Sequence, residues 1–252
     1  MRNEILLIVS LVVLYAMVLL WYQLFGRSGM YCFTVFATIA ANIEVLLLVD
    51  AFGMEMTLGN ILFATTFLVT DILSETEGKK AAQKAVWVGI ATSILFILVS
   101  QSWLLYRVSA NDFAFPAFQQ IFSNTPRMML ASLAVYAIAQ MFDVWMYHFW
   151  WKLTTKKFGD SHRFLWLRNN GSTLLSQLLN AVLFTGFAFW GIYDIPTLLS
   201  ITLSSYVIFI VTSLADTPVI YLARYMREKG RPQQGIPEKN VYLGRKETNQ
   251  KL

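Results

Sequence analysis

The chain has 252 residues, 56% of them hydrophobic and 14% charged, with a formal net charge of +5 and a mean hydropathy of +0.52. A soluble domain carries roughly 45–50% apolar and about 25% charged residues, so the composition excludes an ordinary soluble fold and predicts an all-α polytopic membrane protein. Nucleic-acid binding is not implied by the positive charge, because the basic residues sit between apolar runs and in the tail, not along one stripe.

Hydropathy predicts seven spans in chain order: Ile5 to Phe25, Tyr31 to Phe52, Asn60 to Ser74, Ala85 to Tyr106, Met128 to Trp151, Ser172 to Tyr193 and Thr197 to Ala223. Most have the ~20 residues that cross a ~30 Å hydrocarbon core at 1.5 Å per residue. The first lacks a small-residue cleavage site and outruns a signal-peptide core, so it reads as a retained helix. The third is short and ends in acids, which predicts either a tilted, locally solvated helix or a partly re-entrant one. From about Arg231 the polar, Pro/Gly-broken sequence "RPQQGIPEKN" predicts a flexible tail (231–252) after a transmembrane domain over 1–230. Trp21-Tyr22, Trp145 to Trp151 and Tyr221 to Tyr225 read as interfacial aromatic belts.

If the loops alternate sides, the face holding the amino terminus carries 3 basic residues (Arg2, Arg107, Arg127) and the other carries 17. The positive-inside rule then places the amino terminus outside and the carboxyl tail in the cytoplasm. Asn170-Gly171-Ser172 matches a glycosylation sequon, but it falls at the start of the sixth span on the cytoplasmic side and is discounted. The single cysteine, Cys32, excludes an intrachain disulfide, and His148 and His162 are too far apart for a helical metal pair. No metal or cofactor is implied.

Polar side chains at bilayer depth are expensive, at least ~2.5–3.5 kcal/mol for an acid on insertion scales, and normally face a bundle interior or a watery cavity. The second span holds Asn42 and Glu44, the third Asp71 and Glu75, the fifth Gln140 and Asp143, the sixth Gln177 and Asn180, and the seventh Asp216 with Pro218. Asp71/Glu75 are i,i+4, while Gln140/Asp143 and Gln177/Asn180 are i,i+3, so each pair shares a helix face. One such residue can simply bond helices together. Five polar-bearing spans are better explained by a polar cavity, with Asn42, Glu44, Gln140, Asp143, Gln177, Asn180 and Asp216 as candidate substrate contacts. Asp71 and Glu75, beside Lys79 and Lys80, read as a cytoplasmic gate salt-bridged within its loop, or else as a solvated helix end. "AQMFD" and "SQLLN" repeat Gln-x-x-Asp/Asn on antiparallel spans, the pattern of an inverted repeat around a midplane site. "LRNNGST" reads as a cap at the start of the sixth span.

"TFLVTDILSETEGKKAAQKAVWVG", "ASLAVYAIAQMFDVWMYHFW", "LWLRNNGSTLLSQLLN" and "LADTPVIYLA", taken in order, resemble the bacterial queuosine-precursor transporter family over about residues 41–223. The resemblance implies a six-helix core with an extra amino-terminal helix. It also implies an inner-membrane carrier for the 7-cyano and 7-aminomethyl 7-deazaguanine bases used to make queuosine in tRNA. Its partners would be that small molecule and the lipid bilayer, with no nucleic acid and no cofactor, and a homo-oligomer left open. The chain departs from the family pattern at Asn180, where an aspartate is usual, and at Phe209, where many members carry a lysine. It departs again around Glu44 and Leu47, where Gln and Lys are commoner, and at Glu77, which replaces an aromatic. Loss of an aspartate and a lysine together would avoid leaving one buried charge alone.

No membrane-hydrolase motif such as His-Glu-x-x-His or Gly-x-Ser-x-Gly occurs, and the last span has no lysine for a retinal Schiff base. A non-enzymatic carrier is expected. The runner-up readings are a carrier for another flat heterocycle, such as a purine or vitamin, and the substrate-binding subunit of a separately energised transporter. The charge asymmetry predicts that green fluorescent protein fused after Leu252 will fluoresce, while alkaline phosphatase fused there will be inactive. The opposite pair of results would invert the topology.

Overall fold

The structure, a computed structural model, describes residues 2–123, 126–160 and 162–230; the expected tail lies outside them. Helix α1 runs Arg2–Glu44, broken at Gly26, whose φ of 57° and ψ of −139° suit a residue without a Cβ. The chain reverses there. Asn3 Nδ2 donates to the Asp50 carbonyl at 3.0 Å, Tyr22 lies beside Thr76 and Glu77, and Tyr31 Oη donates to the Ala81 carbonyl at 3.3 Å. The two limbs, 2–25 and 27–44, therefore run antiparallel and correspond to the first two expected spans.

The second span ends earlier than expected. After Glu44 the chain forms a hairpin, β1 (Leu48–Ala51) and β2 (Met54–Thr57), in antiparallel register Leu48↔Thr57 to Ala51↔Met54. Phe52 and Gly53 turn it with φ of 54° and 74°, the two positive angles of a two-residue hairpin loop. A lone two-stranded hairpin is marginal, and this one is tied down by Asn3 and by packing of Ala51 and Met56 against Leu7 and Ile61.

Helix α2 (Gly59–Thr76) is the axis of the bundle: of its 18 residues only Asn60 and Phe63 are not buried. The expectation of a solvated or re-entrant third span is corrected here. The segment is one continuous helix enclosed by its neighbours. Its threonines make that burial tolerable. Thr65, Thr66 and Thr76 each donate to a carbonyl three or four residues earlier, at 2.6 Å, and Thr70 Oγ1 lies 2.9 Å from the Phe67 carbonyl oxygen, so their hydroxyls are satisfied without water.

Gly78, at φ 87°, turns the chain into α3 (Lys79–Trp103), whose buried side is built from small residues, Ala81, Ala82, Ala85, Gly89 and Ser93, as close helix packing in a membrane requires. A short helix α4 (Phe115–Ser123) lies against the end of α3, Phe118 and Phe122 packing on Trp103. Helices α5 (Pro126–Phe158) and α6 (Leu165–Phe189) form an antiparallel pair, and α7 (Ile195–Glu228), with Pro218 inside it, closes the ring. Five helices, α1, α3, α5, α6 and α7, are long and apolar enough to cross a membrane. With the second limb of α1 and with α2 they make up the seven expected spans.

Helix α6 starts at Leu165, so Asn169 and Asn170 are helix-interior residues and the expected cap and sequon position are corrected. Lys79, Lys80 and Lys84 lie in the first turns of α3, and Lys152, Lys156 and Lys157 in the last turns of α5, not in loops. The aromatic belts also divide: Trp145 and Tyr225 are exposed, but Tyr22, Tyr147 and Trp151 are buried in the bundle.

A Cβ at Gly59 would lie 2.8 Å from Val45 N, 3.0 Å from its Cα and 3.1 Å from the Ala41 carbonyl oxygen, all backbone atoms that cannot swing aside. Gly59→Ala should cost about 1–3 kcal/mol through this overpacking. A lowered melting temperature in detergent checks it, and an unchanged one would show that the α1–α2 contact yields.

Candidate functional site

The inward face of α6 is a polar stripe: Arg168, Asn169, Ser172, Thr173, Ser176, Gln177 and Asn180 are all buried. Opposite it, α5 presents Tyr136, Gln140, Asp143, Tyr147 and Trp151, and α2 presents Thr66, Thr70, Asp71 and Glu75. Because each set advances about one helical turn at a time, the facing side chains stack in layers along the bundle axis.

Nearest the hairpin is a cavity with about 580 Å³ of space free of protein atoms, counting its open mouth. Phe63, Tyr136, Phe184 and Phe209 wall it, and Thr38, Asn42 and Asn180 bring polar groups to it. Phe63 stands edge-on to Tyr136, with ring centroids 6.1 Å apart, and 6.3 Å from Phe209. The Tyr136 hydroxyl fits where Gly89 leaves room in α3 and lies beside the Thr38 hydroxyl. Asn42 Nδ2 donates to the Thr38 carbonyl at 2.7 Å. Asn180 and Phe209, where the resemblance implied an aspartate and a lysine, both line this cavity.

The next layer is made of amides. Gln140 Nε2 donates to Thr66 Oγ1 at 2.7 Å, and Thr70 Oγ1 donates to Gln140 Oε1 at 3.1 Å, so both ends of Gln140 are engaged with α2. Asn180 Nδ2 reaches Gln177 Oε1 at 3.4 Å.

Below the amides, three acids from three helices converge. Thr173 Oγ1 donates to Asp71 Oδ2 at 3.0 Å, and Ser176 Oγ donates to Asp143 Oδ1 at 2.7 Å. Asp71 and Asp143 lie side by side, and Asp216, beside Tyr15, is close to both. The remaining oxygens Asp71 Oδ1, Asp143 Oδ2 and Asp216 Oδ1 are buried without a donor.

At the basic end, Glu75 is surrounded by donors. Arg168 grips it in two-pronged fashion, Nη2 to Oε1 at 2.6 Å and Nε to Oε2 at 2.9 Å, Tyr147 donates to Oε2 at 2.7 Å, and Arg224 Nη1 stands 3.4 Å from Oε1. The Arg168 guanidinium lies 4.3 Å over the Trp151 ring and donates to the Arg163 carbonyl at 2.9 Å. Arg224 also bonds Glu228 and His162, and Arg227 Nε approaches Glu77 at 3.8 Å. In the loop before α6, backbone N–H groups, chiefly that of His162, hold the Asp160 carboxyl below its ordinary range. That loop presents the His162 and Arg163 carbonyls to the two arginines.

The structure thus distributes the sequence candidates over several levels. Asn42 and Asn180 reach the cavity; Gln140 and Gln177 lie one level deeper, and Asp143 and Asp216 two. Glu44 ends α1 half-buried, outside the cavity wall. The two Gln-x-x-Asp/Asn pairs run in opposite directions, Asp143 stepping toward the basic end and Asn180 toward the cavity. The gate expectation is corrected in its partners: Glu75 is met by Arg168 and Arg224, while Lys80 points to the surface and Lys79 is only half-buried. Sequence reasoning missed Arg168, whose helical phase with Ser172 and Ser176 was the available signal. It also missed Tyr136 and Thr38, which look like ordinary span residues.

Arg168→Ala would leave Glu75 charged and buried and should cost about 3–5 kcal/mol. Adding Glu75→Gln should recover part of that loss. Melting temperatures of the two detergent-purified variants provide the check; equal losses would show that the pair is not the stabilising contact.

Residues 57–223 match the family model described as "Putative vitamin uptake transporter". A relative from Bacillus subtilis, named "Probable queuosine precursor transporter", is 39% identical over 212 residues, covering 84% of this chain and 90% of the relative. An Escherichia coli relative, named "Queuosine precursor transporter", is 28% identical over 151 residues, 60% of this chain and 63% of its own. No solved structure matches. A polar column sealed at one end by ion pairs and open at the other as a cavity is the architecture of a carrier, and the chain belongs to this vitamin-uptake-type family of membrane transporters.

Proposed function

We propose that the chain imports queuosine precursors, the 7-cyano or 7-aminomethyl 7-deazaguanine base, across the inner membrane by alternating access. The observation that carries this reading is the cavity itself, four aromatic rings with the amides of Asn42, Asn60 and Asn180 and several hydroxyls among them, taken with the names of the two relatives. A deazaguanine offers a flat face for such rings. Its edge N–H groups and carbonyl match the acceptor and donor ends of an amide, so Asn42 and Asn180 are the contacts we assign to the base. Asp143, being deeper, is not assigned to it.

Orientation follows from the 17 basic residues expected on the cytoplasmic side. The Glu75–Arg168–Arg224–Tyr147 cluster then closes the cytoplasmic end while the cavity faces outward. In this reading Glu75 is the gate carboxylate and Asp71 lies behind it. Opening inward requires α2 to part from α6 and α7, exchanging these charge-assisted bonds for contacts with water.

The test is a bacterial strain that neither makes nor imports queuosine precursors, expressing this chain and fed each base in turn, with queuosine in its tRNA as the readout. Queuosine should return. Asn180→Ala and Asn42→Ala should each raise the base concentration needed by up to roughly tenfold, the loss of one or two hydrogen bonds. No queuosine from a protein shown to be in the membrane would transfer the cavity to another flat heterocycle, such as a purine or vitamin.

A further inference from the structure

Glu75 and Asp71 are one turn apart on α2, yet their surroundings are opposite. Glu75 receives hydrogen bonds from Arg168 and Tyr147 and has Arg224 beside it. Asp71, Asp143 and Asp216, each no more than 1% exposed, have among them the hydroxyls of Thr173 and Ser176, with Ser172 beside Asp143, and a phenol, Tyr15, beside Asp216. One oxygen of each acid has no donor at all.

Among the described residues, the elements packed around the three acids bring no cation to them. From α5 come Tyr147, one turn beyond and spent on Glu75, and Asp143 itself. From α6 come Ser172, Thr173 and Ser176; its Arg168 is bound two-pronged to Glu75. From α7 come Asp216 and, two turns on, Arg224, also on Glu75, and from α1 comes Tyr15. Helix α3 carries its charged residues, Lys79, Lys80 and Lys84, in its first two turns. Full ionisation would place three negative charges together in a medium of low dielectric, which costs far more than a few neutral hydroxyl bonds return. A metal ion is not the remedy the geometry offers, since among the described residues no three acid, histidine or cysteine side chains are arranged to hold one. A proton on one acid of a touching pair, by contrast, creates the missing donor and converts two orphaned oxygens into one hydrogen bond.

We propose that Asp71, Asp143 and Asp216 form a proton-binding site separate from the base cavity, and that import of the base is coupled to inward movement of a proton through it. The inference rests on the transport reading above. The amide layer of Gln140 and Gln177 stands between the base and the acids, so the two sites communicate through α2. Thr66 faces the cavity, Thr70 holds Gln140 and Asp71 follows it directly. The proton is taken from the outer side by way of the amide layer and released when the Glu75 cluster parts.

The full chain, reconstituted into liposomes containing a pH-reporting dye and clamped at zero potential, should accumulate radiolabelled 7-cyano-7-deazaguanine when the outside is acid. Adding the base should acidify the lumen, and a sodium gradient should do neither. In the Asp71→Asn/Asp143→Asn double variant, accumulation should disappear while base-for-base exchange persists within about twofold. Wild-type uptake that ignores the pH gradient, or follows a sodium gradient, overturns the coupling but leaves import standing. Loss of exchange together with accumulation in a folded variant overturns it too, by assigning the acids to base binding. If the wild type takes up no base, the import reading fails, and infrared difference spectra of the purified protein still decide the site. A protonated buried carboxyl band, removed in the double variant, is expected at neutral pH, and its absence overturns the proposal.

Discussion

The burial of α2 is the constraint on which the rest depends. A helix at the centre of a membrane bundle has no water to satisfy its polar groups, so each must find a partner within the protein. Its threonines solve this internally by donating to their own backbone. Asp71 and Glu75 cannot, and their needs dictate what α5, α6 and α7 must offer at the same depth: hydroxyls and a second acid for one, two guanidiniums and a phenol for the other. The polar stripe of α6 and the i,i+3/i+4 polar series of α5 follow from that demand.

A carrier must hold its substrate in a site reachable from either side but not from both at once. The layers above and below Gln140 divide that work. In the proposed reading, the aromatic rings and amides near the hairpin are the site for a flat, hydrogen-bonding solute without charge. The ion-pair cluster at the other end is the closure in that reading, strong when dry and readily exchanged for water when open, since hydrated arginine and glutamate have alternative partners. Small residues on α3 and a two-limbed α1 let the outer helices fit closely around this column, and most of their large side chains face lipid.

Asn180 and Phe209 both line the cavity and neither contributes to the ion-pair cluster, so a change of side chain at either position leaves the Glu75 cluster intact. The acids of the middle layer are a different matter. They are linked to one another through α2, α5 and α7, and altering one changes the charge that the other two must accommodate.

Much of this was legible in the residues. Seven apolar stretches, the charge asymmetry and the helical phase of each polar pair follow from periodicity and hydropathy, because a lipid environment imposes both on the sequence directly. Local pattern also identified Asp71, Asp143 and Asp216 as costly residues that must have a purpose. What only the tertiary structure decided is which partner each one meets. Arg168 is ninety-three residues from Glu75 and adjoins a loop rich in cations, so nothing local distinguishes it from the lysines that were expected to take its place. The hairpin after Glu44 and the buried state of α2 were hidden for the same reason. An apolar run reads alike whether lipid or protein surrounds it, and only the packing of distant helices tells the two apart.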